Sequence, residues 1–149
     1  MKSSNTLQYS GASAATYART WVRITPLAPC AGGVLQDRSS WNPSYTGYSC
    51  ADCANYVSQA LRYGGMSTDS TWQPYTTAWV NVSGLENYLI SRDYGYYGCS
   101  GLRNGDIGFQ ASAHVVMVTA LNPVRYSAHT SDRLNRLWDS VLTRCIKIN

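Results

Sequence analysis

The first half of the chain carries apolar side chains three or four positions apart, the spacing of a helix that buries one face. Three segments show this spacing and are predicted to be helices: 13–22, 53–63 and 84–91. Ser13 and Asp52 are suited to cap the first two, and Gly64-Gly65 ends the second. Residues 66–80 combine aromatic side chains with a proline and are predicted to form a loop.

The second half changes to short runs of β-branched and apolar residues, which are typical of strands. Four such runs are predicted to be strands: 106–110, 113–121, 124–130 and 143–148. Asn122-Pro123 lies between the second and third runs, so these two should form an antiparallel hairpin. Residues 94–106 are rich in turn residues, and 131–142 are predicted to form a last helix capped by Ser131.

Helices that precede antiparallel strands predict an α+β fold. The 149 residues suffice for one core and contain no internal repeat or linker, so we expect a single domain over 1–149. No apolar stretch approaches the roughly 20 residues that cross a bilayer. Residues 1–13 lack the apolar segment of a signal peptide, so we expect export by another route or excision from a longer chain.

The net charge is +4, and no run of Lys or Arg concentrates it. This distribution suits an anionic partner such as a bacterial wall or a membrane surface. It disfavours nucleic acid, which usually requires a concentrated basic stripe. Twelve tyrosines and five tryptophans stand against one phenylalanine. Such aromatics suit surfaces that contact a polar, ring-bearing ligand, although ordinary half-buried packing explains most of them.

Cysteine carries the first candidate chemistry. The chain has five: Cys30, Cys50, Cys53, Cys99 and Cys145. An odd count leaves at least one thiol free, and the pairing of the others stays open. Cys53 follows Asp52 at a predicted helix start, where unpaired N–H groups and a partial positive charge stabilise a thiolate. This position predicts a lowered pKa, a nucleophile for acyl transfer and N–H groups that hold an oxyanion.

Cys50 and Cys53 also have the spacing of a redox pair or of half a zinc site. A redox pair usually stands in a βαβ unit, and zinc requires a second pair of ligands. The sequence shows neither a βαβ unit nor a second pair of zinc ligands, so we expect no metal and no cofactor. Cys30 and Cys145 are expected to be buried or disulfide-bonded.

Two histidines, His114 and His129, are the only ones in the chain. They lie on the two arms of the predicted hairpin, on either side of the Asn122-Pro123 turn, so both side chains should approach the same end of the sheet. A nucleophilic cysteine requires a base, and the base requires an orienting partner. We therefore predict His114 as the base and His129 as its orienter, against the alternative that both are structural.

Residues 52–65, DCANYVSQALRYGG, resemble the "DCxNFxSQ…GG" signature of the Putative amidase domain family of bacterial and phage cell-wall lysis proteins. This family is related to the NlpC-type and CHAP peptidases, which are papain-like. Other segments resemble the family as well: 13–22, 42–45, 78–90, 104–107 and 114–135. The chain departs from the signature at Tyr56, where Phe is more usual.

The resemblance implies a catalytic group with Cys53 as nucleophile, His114 as base and His129 as third member. It implies a papain-like fold, with N-terminal helices packed on a small antiparallel sheet. A tyrosine upstream of the cysteine should point into the site. Tyr45 is the first candidate and Tyr48 the second, against an ordinary packing role.

Further positions are expected to support this site or its substrate. Asp52 and Tyr45 are assigned to support of the site. Trp72, Tyr75 and Trp79 are candidates for a groove that binds glycan or stem peptide, with packing of their own loop as the alternative. Cys50 and Cys99 are additional to the cysteine of the family signature, and they could form a disulfide that closes the loop over the site.

These expectations together indicate a cysteine amide hydrolase that acts on peptidoglycan, as an amidase or as an endopeptidase. Its partner would be the wall polymer, its location extracellular or at the cell wall, and its state a monomer. Two alternatives keep the fold. One is a papain-like toxin that deamidates or crosslinks a protein, and the other is an inactive relative that only binds a peptide.

Overall fold

The computed structural model describes residues 8–23, 38–130 and 132–149. It contains four helices within these ranges: α1 Gly11–Thr20, α2 Cys53–Tyr63, α3 Thr77–Val80 and α4 Val82–Ser91. It contains six strands: β1 Gly95–Tyr97, β2 Ile107–Gln110, β3 His114–Ala120, β4 Arg125–Ala128, β5 Arg133–Leu137 and β6 Arg144–Ile148.

The six strands form one sheet in the order β1-β6-β2-β3-β4-β5, and every neighbouring pair is antiparallel. The closing strand β6 lies between β1 and β2, so the first and last strands of the chain are neighbours at one edge of the sheet. The predicted hairpin is present as β3 and β4, with Met117 opposite Ser127. The α+β class is therefore confirmed.

The helices cover one face of the sheet. Because successive side chains of a strand point to opposite faces, β3 contributes to two clusters. Val115 and Met117 join the large core that also holds Cys53 and the apolar side of α2. Val116 joins a smaller cluster with Tyr126 on the opposite face.

Helix α2 lies at the centre of the large core. Every residue from its first position to Leu61 is buried, and only its last turn reaches the surface. Gly64 follows as the C-cap and Gly65 has φ +117°, a backbone conformation that L side chains rarely adopt. A Cβ at Gly65 would also lie 2.3 Å from the Gln8 carbonyl oxygen. The predicted stop of this helix is confirmed.

The helix predicted over 131–142 is wrong. Residues Arg133–Leu137 form β5 instead, paired with β4 at the edge of the sheet, and Ser131 lies outside the described residues. Sheet hydrogen bonds to β4 satisfy this backbone, and the place of this segment in the sheet overrides its helical spacing. Leu134 packs against the large core from this strand.

Three smaller differences concern local structure. Ser10, not Ser13, caps α1, and its hydroxyl oxygen accepts a hydrogen bond from the Ser13 N–H. The turn-rich segment contains the short strand β1, and the predicted loop 66–80 contains the single turn of α3.

Within the described ranges, each helix is too short or too polar to cross a bilayer.

Candidate active site

Cys53 is the first residue of α2, and it is the one free cysteine among the described residues. Burial raises the pKa of its thiol, and the neighbouring Asp52 carboxylate adds to the rise. The backbone N–H groups of Val115, Ala54 and Cys53 itself act in the opposite direction by favouring the thiolate. The predicted lowering of this pKa is therefore wrong, because removal of the sulfur from water outweighs the helix terminus.

The other described cysteines are oxidised. Cys99 is bonded to Cys145, and Cys50 is also disulfide-bonded. The predicted Cys50–Cys99 disulfide is therefore wrong, because the partner of Cys99 is Cys145 on β6. Cys50 and Cys53 are not bonded to each other, so they do not form a redox pair in this state. The described residues contain no cluster of three or more metal-ligating side chains.

Asp52 occupies the N-cap position of α2, but its carboxylate makes no capping hydrogen bond. Its Oδ1 accepts from the Tyr48 backbone N–H and from the Asn55 side-chain amide, both at 2.9 Å. Its Oδ2 lies 2.5 Å from Nδ1 of His129. Asp52 therefore connects the preceding loop, and His129 directly after β4, to the residue that carries the thiol.

His129 is enclosed on every side. Its ring stacks between Tyr56, at 3.9 Å between centroids, and Trp41, at 4.3 Å. Its Nε2 lies 2.6 Å from the Trp21 carbonyl oxygen, which can only accept, so Nε2 carries a hydrogen. Both ring nitrogens are thus used, and the predicted orientation of His114 by His129 is wrong. The partner of His129 is Asp52.

His114 begins β3 and lies in a groove of about 320 Å³. The groove is also lined by Tyr126 and Leu142 of the smaller cluster, so the imidazole lies on the sheet face away from α2. Burial lowers the pKa of His114, and the nearby Arg133 guanidinium lowers it further. Because its pKa is lowered, the imidazole is uncharged at neutral pH and can accept a proton. No described residue forms a hydrogen bond with this ring.

Thr130 connects this groove to the start of α2. Its side chain lines the groove beside His114, and its hydroxyl accepts a hydrogen bond of 2.9 Å from the Asp52 N–H. The residue after His114 is Val115, whose N–H favours the Cys53 thiolate. The start of β3 thus brings His114 and the sulfur to the same end of the sheet. No hydrogen bond joins the Cys53 thiol to either imidazole within the described structure.

The polar residues that follow Cys53 in the signature hold the surrounding walls. Asn55 donates to the Thr46 carbonyl and accepts from the Trp79 indole N–H. Ser58 donates to the Trp79 carbonyl and accepts from the Trp72 indole N–H. Sequence reasoning missed these roles. Their signal is the spacing of Asn55 and Ser58, which lie three positions apart and therefore on one face of the helix.

The predicted aromatic groove is wrong for two of its three members. Trp72 and Trp79 are completely buried, because each indole N–H finds its partner on α2 inside the core. Tyr75 is 71% exposed, and its hydroxyl lies 2.8 Å from that of Thr46. Its contact with a substrate stays a prediction.

Tyr45 and Tyr48 lie on the loop before α2. The half-buried Tyr45 stacks on Trp79 with 5.9 Å between ring centroids, which is the packing role weighed against a catalytic one. The backbone of Tyr48 holds Asp52 through its N–H. A direct role of either hydroxyl at the thiol stays a prediction.

The chain is similar to "Uncharacterized protein YjcM" of Bacillus subtilis (strain 168), with 32% identity over 115 residues. That similarity covers 63% of this chain and 28% of the relative, so the match spans little more than a quarter of YjcM. No solved structure matches the chain, and the papain-like fold stays a prediction. The sequence profile of one family, described as "Putative amidase domain", matches residues 8–148. Because this match spans nearly the whole chain, the protein belongs to that family, whose description indicates hydrolysis of amides.

Proposed function

We propose that this domain is a cysteine-dependent amide hydrolase that cleaves bacterial peptidoglycan, with Cys53 as nucleophile and His114 as base. The observation that carries the proposal is the state of Cys53. It is a free thiol at the first position of α2, while the other described cysteines are oxidised. Backbone N–H groups from two elements converge on it.

The chemistry follows from the protonation states. Burial keeps Cys53 as a thiol, so its proton must leave during attack, and the neutral His114 is suited to accept it. The sulfur then bonds to the amide carbon, and backbone N–H groups at the start of α2 stabilise the oxyanion. His114 returns the proton to the leaving amine. Water hydrolyses the thioester, which releases a carboxylic acid and restores the thiol.

In the unliganded protein, His114 lies in its groove without a hydrogen bond to the sulfur. In this groove the imidazole lies on the sheet face away from α2, so acceptance of the Cys53 proton requires the start of β3 to rearrange when substrate binds. Thr130 lines the groove and accepts a hydrogen bond from the Asp52 N–H, so one end of the groove lies next to the residue before Cys53.

His129 receives a different role from the one expected of a third catalytic member. Its pairing with the Asp52 carboxylate, enclosed by Tyr56 and Trp41, holds the residue directly before the nucleophile. We assign it as a positioning residue that acts through Asp52.

Several properties support peptidoglycan as substrate and a location outside the cytoplasm. Disulfides persist in oxidising compartments, and Cys99–Cys145 is one. The net charge of +4 favours an anionic wall. We propose that the protein acts as a monomer, extracellularly or at the wall, without a bound metal or cofactor.

The test is digestion of purified sacculi by the wild type and by Cys53→Ala, followed by mass spectrometry of the fragments. We expect fragments only with the wild type. Intact disaccharide with a free lactyl group identifies an amidase, and new amino termini within the stem or cross-bridge identify an endopeptidase. Equal fragments from Cys53→Ala would remove the mechanism. Untouched sacculi together with a mass change in a protein glutamine would indicate the deamidase alternative.

The absence of a hydrogen bond between the described thiol and either imidazole favours a second candidate, an inactive relative that only binds. A His114→Ala comparison separates the two. In an active hydrolase this variant loses turnover while the Cys53 environment and the fold persist. In a binding module, neither His114→Ala nor Cys53→Ala changes the affinity for a muropeptide, and the wild type shows no turnover.

A further inference from the structure

A second groove lies away from the thiol, between α1, the C-terminal end of α2 and the loop before it. Its volume is about 780 Å³, within the range of ligand sites. Four aromatic side chains line it: Tyr17, Trp21, Tyr45 and Tyr63. Tyr63 is 62% exposed, so its ring is accessible to a ligand in this groove.

The rings are held in place before any ligand arrives. The Tyr17 hydroxyl donates to Gln59 at 2.6 Å and accepts from the Asn42 amide at 3.0 Å. Trp21 and Tyr63 lie against the Tyr17 ring, with centroids at 6.4 and 5.3 Å. Fixed rings lose little conformational entropy on binding, which favours a ligand that stacks on them.

The polar groups of the groove indicate the rest of the ligand. Its neutral hydrogen-bonding side chains come from Thr16, Thr20, Asn42 and Ser44, and its single cation is Arg62. Arg62 is exposed, and its guanidinium forms no ion pair or hydrogen bond with any described residue. The ligand that fits this groove best therefore has flat apolar faces that stack on the rings, several hydroxyl groups that hydrogen-bond to the polar side chains, and one anionic group that pairs with Arg62.

We infer that this groove binds a saccharide that carries a carboxylate. A peptide that binds as an added strand does not fit, because the groove is walled by two helices and a loop and offers no sheet edge. The edge strands of the sheet are β1 and β5, and neither lines this groove. That the saccharide is the glycan of the wall substrate rests on the proposed function, whereas saccharide binding itself does not.

The groove would act at a distance from the reacting bond. Helix α2 runs 11 residues from Cys53 to Tyr63, a span of roughly 15 Å. A neighbouring groove of about 450 Å³ shares Trp21, Asn42 and Tyr45 with it. The two together provide a path along the loop to Gly47, next to the residue that holds Asp52. A polymer held here would reach toward the start of α2.

Binding is measured on the full chain carrying Cys53→Ala, so that no turnover interferes. The probes are the peptide-free disaccharide of N-acetylglucosamine and N-acetylmuramic acid, neutral chitobiose, and a free stem peptide, each followed by NMR titration and calorimetry. We expect the acidic disaccharide to bind more tightly than chitobiose. Tyr63→Ala should weaken both by roughly five- to tenfold.

Arg62→Gln should weaken the acidic disaccharide by about two- to fivefold and leave chitobiose unchanged. Tyr96→Ala removes a ring of similar exposure, 50%, outside the groove and serves as the matched control. Equal affinities for Tyr63→Ala and Tyr96→Ala, or binding of the stem peptide alone, would overturn the inference. The digestion of sacculi by wild type reports separately on the hydrolase, since saccharide binding to Cys53→Ala requires no catalysis.

Discussion

Removal of the Asp52 carboxylate should destabilise this protein more than any change on its surface. The side chain is 1% exposed and accepts three hydrogen bonds, from Tyr48, Asn55 and His129. Asp52→Ala leaves these three donors without a partner inside the core. Breaking one buried ion pair in this way costs about 3–5 kcal/mol, much of it from the polar groups left behind. We expect a loss in that range in the free energy of unfolding.

Asp52→Asn provides a graded comparison. Its amide oxygen can still accept from Tyr48 and Asn55, and its amide N–H can donate to Nδ1 of a neutral His129. Nε2 of that ring would keep its bond to the Trp21 carbonyl. The loss should therefore be less than half of that for Asp52→Ala. Asp52→Ala also loses the contacts that position Cys53, so its turnover should fall much further than that of Asp52→Asn.

The measurement is urea unfolding at pH 7, followed by tryptophan fluorescence and by circular dichroism. Asp93→Asn makes the same carboxylate-to-amide change at an exposed position and should cost no more than about 1 kcal/mol, because water screens interactions of exposed charges. Its backbone has φ 58°, which Asn tolerates as well as Asp does. An Asp52→Ala variant within about 1 kcal/mol of wild type would show that the buried network contributes little, contrary to this reasoning.

Three further predictions concern single groups. Because burial raises the Cys53 pKa, alkylation by iodoacetamide should be slow at neutral pH and should rise with pH beyond the usual thiol range of about 8.5, as measured by peptide mass spectrometry. Arg133→Gln should raise the His114 pKa in NMR titration, but not to its ordinary value, because burial persists. Cys99→Ser opens a bond between residues 46 positions apart and should cost roughly 4 kcal/mol in unfolding.

Each of these has its own control. The same cysteine in urea-unfolded protein should react faster at pH 7, and equal rates would contradict a raised pKa. Arg136 lines the groove without contributing to the His114 shift, so Arg136→Gln should move that pKa less than Arg133→Gln. Ser100→Ala, beside the exposed Cys99, should be close to neutral. A disulfide variant as stable as Ser100→Ala would show that the bond does not constrain the unfolded chain.

Features decided within a few residues could be predicted from the sequence. The helical spacing of 53–63, its stop at Gly64-Gly65 and the turn at Asn122-Pro123 each depend on neighbours along the chain. The position of Cys53 at a helix start was predicted for the same reason. The resemblance of residues 52–65 to an amidase family depended only on the order of these residues, and the family match confirms the membership.

The tertiary structure decided which groups are buried and which partners they meet. The helix terminus favours a Cys53 thiolate locally, but core packing of α2 against β3 reverses the net effect on its pKa. His129 meets Asp52 across 77 positions of sequence, and no local pattern records that contact. Strand β5 forms because β4 supplies hydrogen-bonding partners at the sheet edge. Burial and long-range pairing depend on the whole fold, whereas spacing and turns are carried by adjacent residues.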